Sequence, residues 1–528
     1  MPNQPRLLPD NRTWALDVES IENLAIPGLK VAKAPNGQPY VYGYIDAVAA
    51  ACKVVGAEKP RDWRDYELPA PLLLEQMRIK GEIRGYQQQG IEYLHIIQQW
   101  AQGAILADEM GLGKSRQAIT LAKLRNCKRV IIVTPGRARY TWVEELEKAG
   151  EANFALMLPK GAKSWKMQRE KASSARWVIT SYDLLPEIPQ AATSMLIIDE
   201  CHEVKNSKAK RSQEALSMAR MVPYRLGISA TPAWNTPRDW WFILDLLLPG
   251  RFGRKHDFEA RYADGHQGQY GWVAKGVSHA EELRTRLSCY LVRREKRDVA
   301  QELPPMTDVP VWLEPDPHAT QAMRASALKV PGCSFYDALL ATLEAKIQPC
   351  VELAHAAKRF LLFTWQKAHA GIMARQLNEE GTPCVLIHGE MSDLQRANAI
   401  ALARSKAIGI VATIDSAGQS LNLQGIASQG IMHYQDPVPF KMIQARSRLH
   451  RLGITEPITW QHVLLKDSAD EVVWRRSTSK LMAQEASMPA MQDAGAYREA
   501  MNANTVSDAE ALAGYYAEMS EMGMEVAS

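Results

Sequence analysis

Two stretches decide the reading of this chain: Leu106-Ala107-Asp108-Glu109-Met110-Gly111-Leu112-Gly113-Lys114-Ser115, and Leu196-Ile197-Ile198-Asp199-Glu200-Cys201-His202. In the first, Gly111 and Gly113 let backbone N–H groups wrap a polyphosphate. Lys114 supplies a point charge for β- and γ-phosphates, and the Ser115 hydroxyl can ligate Mg²⁺. In the second, Asp199 reaches the metal shell and Glu200 can orient or deprotonate an attacking water. Each stretch needs the other, and together they imply a nucleotide-hydrolysing site.

The surrounding pattern supplies the fold. Short apolar runs at Ala104–Ala107, Arg129–Thr134, Trp177–Thr180, Met195–Ile198 and Arg225–Ser229 read as buried strands. Helical patterns at Ser115–Leu124 and Thr141–Ala149 lie between them, which predicts an α/β domain with a parallel sheet. The phosphate loop then sits where a strand ends and a helix opens. A second series follows near residue 358. Phe360–Thr364, Cys384–Ile387, Gly409–Thr413, Gly430–Tyr434 and Ile458–Leu464 read as strands, and Gln366–Glu380 and Leu394–Ser405 as helices. This second α/β domain has no phosphate loop of its own. A break marked by Pro304-Pro305, Pro310, Pro315, Pro317, Pro331 and Gly332 separates the two series.

A chain of 528 residues exceeds one core, so two to four domains are expected. Hydrophobic content of 46% and charged content of 23% suit a globular chain. No apolar run is long enough to span a bilayer, and Met1–Arg6 lacks the apolar core of a signal peptide. Seven cysteines stand singly with no Cys-x-x-Cys pair, which argues against a zinc module or disulfide framework and for a reducing compartment. The net charge of +4 does not announce a nucleic-acid binder. The tail after Lys480, however, carries Glu485, Asp493, Glu499, Asp508, Glu510, Glu518, Glu521 and Glu525 against Arg498, so the body is more basic than the total. A solvated acidic helix or a disordered end accounts for that tail.

The loop lacks the usual first glycine, and Asp108 stands in its place. With Asp-Glu-Met-Gly-Leu-Gly-Lys, it resembles the loop of the Swi/Snf-related ATPases of helicase superfamily 2. The resemblance extends in order over residues 84–476. Arg84-Gly85-Tyr86-Gln87 is similar to the adenine-reading motif, where a glutamine amide matches the N6/N7 edge of adenine; a plain polar helix start is the alternative. Ile131–Pro135 with Trp142–Leu146 resembles the motif after the second strand, whose loop in the family touches a DNA phosphate, and Val178–Asp183 resembles the next strand-end motif. Glu203-Val204-Lys205-Asn206 is more typical of Swi/Snf-related chains than of RNA helicases. Leu226–Pro232 resembles the coupling motif, and Thr231-Pro232-Ala233 with Pro237 and Phe258…Arg261-Tyr262 looks most like the annealing-helicase (HepA-related) branch. Tyr290–Val299 followed by Glu302-Leu303-Pro304-Pro305 matches the family's Arg-Arg-x-Lys-x-Asp-Val block. His388-Gly389-Glu390 with Gln395-Arg396, and Thr413–Leu423, resemble second-domain motifs; in the latter Ala417 and Ser420 replace common glycines. Gln444-Ala445-Arg446-Ser447-Arg448-Leu449-His450-Arg451 matches the arginine-finger helix, and Arg448 and Arg451, three apart, would share a helical face.

The resemblance implies two tandem RecA-like parallel-sheet domains with helical insertions. The expected layout is an accessory region at 1–80, an ATP-binding domain at 81–300, a crossover at 301–345, a helicase C-terminal domain at 346–482 and the acidic tail at 483–528. ATP would be held by Arg84, Gln87, Asp108, Glu109, Met110, Gly111, Leu112, Gly113, Lys114 and Ser115, and Mg²⁺ by Ser115 and Asp199. The catalytic set is Lys114, Asp199, Glu200, Gln444, Arg448 and Arg451; guanidinium forks would neutralise the transition state when the domains close. His202, Ser229 and Thr231 would couple hydrolysis to motion, although a buried structural histidine is the alternative for His202. Thr134, Ser181, Lys205, Asn206, His388 and Thr413 would contact nucleic acid. Cys201 reads as a small core residue.

The expected activity is ATP-dependent translocation on double-stranded or branched DNA, remodelling forks, branches or protein–DNA complexes, or annealing strands. A strand-separating DNA or RNA helicase is one rival, and a nucleic-acid-binding assembly subunit with a vestigial ATPase is another. DNA-bound proteins are expected targets, with no membrane and no zinc, a monomeric state and a cytoplasmic location, on the nucleoid for a bacterial or phage chain.

Overall fold

The structure, a computed structural model, describes residues 83–475 apart from 160–163, 190–191, 231, 233–236, 270, 275, 300–302, 315–338, 341, 418–422, 437–438, 451–453 and 467. Before residue 83 it describes 6–7, 14–17, 26, 29–33, 39–43 and 47. Most of the 1–80 region and the whole 483–528 tail therefore lie outside the described residues. The chain divides into two compact units between Glu295 and Lys296.

In the first unit a four-stranded antiparallel sheet comes first: β1 (Arg6–Leu7), β2 (Trp14–Asp17), β3 (Lys30–Lys33) and β4 (Pro39–Gly43), in the order β1-β2-β4-β3. The sequence showed only weak periodicity there. Next comes α1 (Gly85–Ala101), and then the strands β5 (Gly103–Leu106), β6 (Val130–Thr134), β7 (Phe154–Leu156), β8 (Trp177–Ser181), β9 (Met195–Asp199) and β10 (Tyr224–Ile228). Helices α2 (Lys114–Leu124), α3 (Arg139–Lys148), α4 (Trp165–Ser174) and α5 (Lys210–Met221) run between them. After β10 come α6 (Arg238–Leu247), α7 (Lys255–Tyr262), the hairpin β11 (His266–Gly268) and β12 (Gly271–Val273), α8 (Ala280–Ser288) and β13 (Leu291–Val292). The large sheet has the order β13-β5-β10-β9-β6-β8-β7, and every pairing in it is parallel. β5, β6 and β8 are buried at every position, which is why they read as unbroken apolar runs rather than alternations.

The second unit is built the same way. β14 (Met306–Leu313), α9 (Ile347–Ala357), β15 (Phe360–Thr364), α10 (Lys367–Glu379), β16 (Cys384–Ile387), α11 (Asp393–Lys406), β17 (Gly409–Thr413), β18 (Gln429–Met432), α12 (Pro439–Arg446) and β19 (Ile458–Leu465) follow in order. Its sheet, β14-β19-β18-β15-β17-β16, is also wholly parallel. The tandem RecA-like architecture is thus present. One expectation is corrected. The Pro304–Pro310 stretch read as a break, yet β14 runs through Pro310, paired with His462 in β19. An edge strand tolerates proline because its outer N–H positions have no partner to lose. Among the described residues no helix is long and apolar enough to cross a membrane.

Candidate nucleotide-hydrolysis site

The first unit's site is assembled at one end of its parallel sheet. Leu106 ends β5, Thr134 ends β6, Asp199 ends β9 and Ser229 follows β10. In a parallel sheet all these carboxyl ends point the same way, so loops distant in sequence meet.

The phosphate loop turns at Gly111 (φ 91°) and Gly113 (φ 73°), left-handed conformations that glycine adopts without strain. A Cβ at Gly113 would overlap the Gln87 amide, so the cradle has no room for a side chain. The Lys114 ammonium donates to the backbone carbonyls of Asp108 (2.8 Å) and Glu109 (3.2 Å). Burial pulls its pKa below the ordinary lysine value, opposed by the charges of Glu200, Asp108, Asp199 and Glu109. A desolvated cation held on loop carbonyls, above a cradle without side chains, fits a polyphosphate.

The second half centres on Asp199. Its Oδ2 accepts from the Thr134 hydroxyl (2.8 Å) and from the Trp142 indole N–H (2.8 Å), and its Oδ1 accepts from the Glu200 backbone N–H (3.1 Å). Burial, with the Glu200 charge next, pushes its pKa up to about 6; Trp142, Thr134 and Lys114 pull the other way. Glu200 itself has φ 51°, a left-handed backbone that a non-glycine residue adopts at a cost, and such strain gathers at functional sites. Tyr182 holds that backbone by donating its hydroxyl to the carbonyl of Asp199 (2.6 Å). The Ser229 hydroxyl donates to Glu200 Oε2 (3.3 Å), and His202 Nδ1 lies 3.1 Å from the same hydroxyl. Burial lowers the His202 pKa to about 4, so the ring is neutral near pH 7. Lys114, Asp199, Glu200, His202 and Ser229 thus lie together at this end of the sheet. Cys201 is a buried core residue whose thiol burial pushes well above the ordinary value.

A magnesium ion characteristically takes one or two protein carboxylates, with phosphate oxygens and water completing its shell. Asp199 with the Ser115 hydroxyl matches that donor set; among the described residues no larger His, Cys, Asp and Glu cluster is arranged for a metal.

The Gln87 amide, expected to read adenine, bonds here to the phosphate loop and to the start of α1. Nε2 donates to the Leu112 carbonyl (3.1 Å) and Oε1 accepts from the Arg84 N–H (3.1 Å), so it props the phosphate loop against the start of α1. Thr134 and Thr413 were expected to contact nucleic acid. Both are buried, with the Thr134 hydroxyl on Asp199 and the Thr413 hydroxyl 2.7 Å from that of Ser416. A hydroxyl at a strand end can face inward or outward, and residue type alone does not say which. Ser181 is also buried. Lys205 is half-buried and donates to Asp239 (3.4 Å), Asn206 is exposed, and His388 is half-buried. Glu109, Met110 and Ser115 are half-buried around the loop, and Leu112 is buried beneath it.

In the second unit α12 carries the predicted arginine motif, but the regular helix stops at Arg446. The Ser447 N–H bonds to the Ile443 carbonyl, whereas those of Arg448 and Leu449 bond three residues back, to Ala445 and Arg446, so the turn tightens. Gln444 and Arg448 are largely buried on this turn. Arg451, with Thr231 in the first unit, lies outside the described residues, and so does the helical face predicted for Arg448 and Arg451 together. Arg446 pairs with Asp308 of β14, whose other oxygen meets His462 Nε2 (2.9 Å). Lys296 donates to the His450 carbonyl (3.0 Å), and His450 Nε2 lies 2.9 Å from the Pro304 carbonyl. Trp142, Tyr182 and Arg446 had no assigned role in the sequence reading.

Comparison with known proteins gives the same two-part pattern. Residues 86–346 match the SNF2-related domain and residues 343–453 the helicase conserved C-terminal domain. The chain is similar to the SWI/SNF-related matrix-associated actin-dependent regulator of chromatin subfamily A-like protein 1 of Xenopus tropicalis, 28% identical over 401 residues, covering 71% of this chain and 42% of that protein. It is also similar to the DNA annealing helicase and endonuclease ZRANB3 of Mus musculus, 25% identical, covering 70% of this chain and 38% of that one. The chain thus spans about two fifths of the length of these relatives. The solved Sulfolobus solfataricus SWI2/SNF2 ATPase core in complex with dsDNA aligns over 88% of this chain and 100% of its own, with 19% identity and a TM-score of 0.42.

Proposed function

Because the chain belongs to the Swi/Snf-related family of helicase superfamily 2, we propose that it is an ATP-dependent motor that translocates on double-stranded DNA and remodels forked or branched structures. The observation that carries this reading is the convergence of Lys114, Asp199, Glu200, Ser229 and His202 at one sheet edge, with a hydrogen-bonded route from Glu200 to the coupling motif. The relative named a DNA annealing helicase supports DNA as the substrate class.

In this mechanism the phosphate loop's N–H groups and Lys114 bind the triphosphate, and Lys114 exchanges its loop carbonyls for phosphate oxygens. Ser115 and Asp199 would hold Mg²⁺, whose charge offsets that of the β/γ-phosphates. Glu200 accepts the proton of the attacking water; its strained backbone, pinned by Tyr182, fixes where that carboxylate sits. Ser229 and His202 register whether the Glu200 carboxylate has moved. As the family resemblance implies, Arg448 and Arg451 would supply transition-state charge. Backbone phosphates dominate the grip on DNA, so binding is insensitive to sequence and sensitive to salt.

The test is ATP hydrolysis without nucleic acid and with single-stranded DNA, duplex, fork or RNA, beside Glu200→Gln. Stimulation by duplex or fork that falls by ~10²–10⁴-fold in the mutant is expected. Stimulation by RNA or single strands alone would replace the substrate assignment with that of a helicase. Mutant-like activity in every condition would favour a vestigial ATPase.

A further inference from the structure

Asp108 stands where phosphate loops usually have their first glycine, and it is fully buried. A buried carboxylate beside a polyphosphate site is doubly unfavourable, because it is desolvated and it repels the ligand. The structure shows its answer. Arg294, from the Arg293–Val299 block, grips it in bidentate fashion, Nε to Oδ1 at 3.0 Å and Nη2 to Oδ2 at 2.5 Å. Gln117 of α2 closes the ring, donating to Asp108 Oδ2 (2.9 Å) and accepting from Arg294 Nη2 (2.7 Å). The same guanidinium donates to the Tyr86 carbonyl and lies 5.3 Å over the Tyr86 ring. The Arg294 carbonyl accepts from the Glu109 N–H (2.9 Å), so backbone and side chain hold adjacent loop residues.

Gly90 is an independent sign that this contact is built. It lies inside α1, in the helix's second turn, where glycine is a poor choice. A Cβ there would overlap the Arg294 guanidinium and lie 2.6 Å from Gln117 Oε1. The helix is thinned at the point where the arginine must pass.

We propose that Arg294 is a positioning residue for nucleotide binding: by neutralising and orienting Asp108 it holds the phosphate loop in its ligand-ready shape. The Lys114 ammonium rests on the Asp108 carbonyl, so displacing Asp108 displaces the phosphate-binding cation. The loop's affinity is therefore governed by a residue placed just before the chain enters the second unit at Lys296. This inference rests on the nucleotide-binding reading of the site.

The test is titration of the full chain with fluorescent mant-ADP, together with ATP KM and kcat and thermal unfolding, for Arg294→Lys, Arg294→Met, Asp108→Asn, Gly90→Ala and the double variant Asp108→Asn/Arg294→Met. Arg294→Met is expected to weaken mant-ADP binding by about tenfold or more, with KM rising by a larger factor than kcat falls. Arg294→Lys is expected to restore part of that loss, since it keeps the charge without the fork. The double variant removes the charge conflict, so its affinity should fall no further than that of the worse single variant. Gly90→Ala leaves both charged groups in place and should weaken binding in the same direction, which keeps the test decisive if Arg294→Met does not fold. Folded Arg294 and Gly90 variants that bind mant-ADP as tightly as the unaltered chain would overturn the latch alone. Failure of the unaltered chain to bind mant-ADP would remove the nucleotide reading and the latch with it.

Discussion

Asp199 shows what a single residue needs from its surroundings. It must stay ionised while buried, and the Trp142 and Thr134 donors favour its charged form. Hydrogen bonds to charged groups contribute about 1.5–3 kcal/mol each. Trp142→Phe keeps an aromatic ring and loses the donor. Half-saturating Mg²⁺ for ATP hydrolysis is expected to rise about tenfold, and a magnesium titration of the rate checks this. An unchanged requirement would mean that the indole only fills space. Residue-scale legibility was uneven for a physical reason. Lys114, Asp199, Glu200, His202 and Ser229 sit in short motifs whose local geometry fixes their direction. Trp142 and Arg294 find their partners 57 and 186 residues away, and no local pattern carries that information. Thr134 and Thr413 had the right chemistry for a ligand but turn their hydroxyls onto protein groups.

At the scale of elements, unbroken apolar runs bounded by turn residues were sufficient to find the central strands of both sheets. The strands that escaped were those at or near the edges. β7 has three residues, β13 has two and leads into a charged block, and β14 is interrupted by Pro310. Two or three apolar residues, or a run broken by proline, carry too little pattern to mark a strand; the edge strand β16, four unbroken residues long, was legible. The interior of the second sheet offers a direct check. Gly430 in β18 is paired in register with Trp460 in β19, and a Cβ on Gly430 would overlap the Trp460 ring. Trp460 is fully buried and stacked on Phe363, with ring centroids 5.8 Å apart, so it has nowhere to retreat. Overpacking of this kind costs about 1–3 kcal/mol. Gly430→Ala is expected to lower the melting temperature by roughly 5 °C in thermal unfolding, while mant-ADP binding, a property of the first unit, stays unchanged.

For the whole molecule, burial of histidines dominates the response to mild acid: His433, His95 and His202 resist protonation in the fold, against one carboxyl among the described residues, Asp199, that takes up its proton more readily there. Burial lowers the pKa of His433 to about 3, and that of His95 and His202 to about 4. His433 is held as the neutral ring, with Nε2 2.8 Å from the Leu343 carbonyl and Nδ1 2.7 Å from the Thr364 hydroxyl. Below about pH 6.5 the unfolded chain takes up protons at these positions, while the folded chain resists until about pH 4 to 3. Stability is thus full above pH 6.5 and falls as the pH drops through that window. Melting temperatures measured from pH 7.5 to 5 are expected to decline, and His433→Gln to show a shallower decline. A flat profile in the unaltered chain would contradict this account.

Arg294, Glu295 and Lys296 are consecutive, and their two arginine and lysine side chains hold different machinery: one the phosphate loop, the other the turn that follows the arginine-bearing helix. Three successive tryptic positions, Arg293, Arg294 and Lys296, are thereby tied into the fold, with side chains 10%, 13% and 6% exposed. A protease that cuts after basic residues has no extended, solvated chain to seize at this border. Limited tryptic digestion of the folded protein is expected to spare the junction, and Arg294→Met together with a mild denaturant to open it.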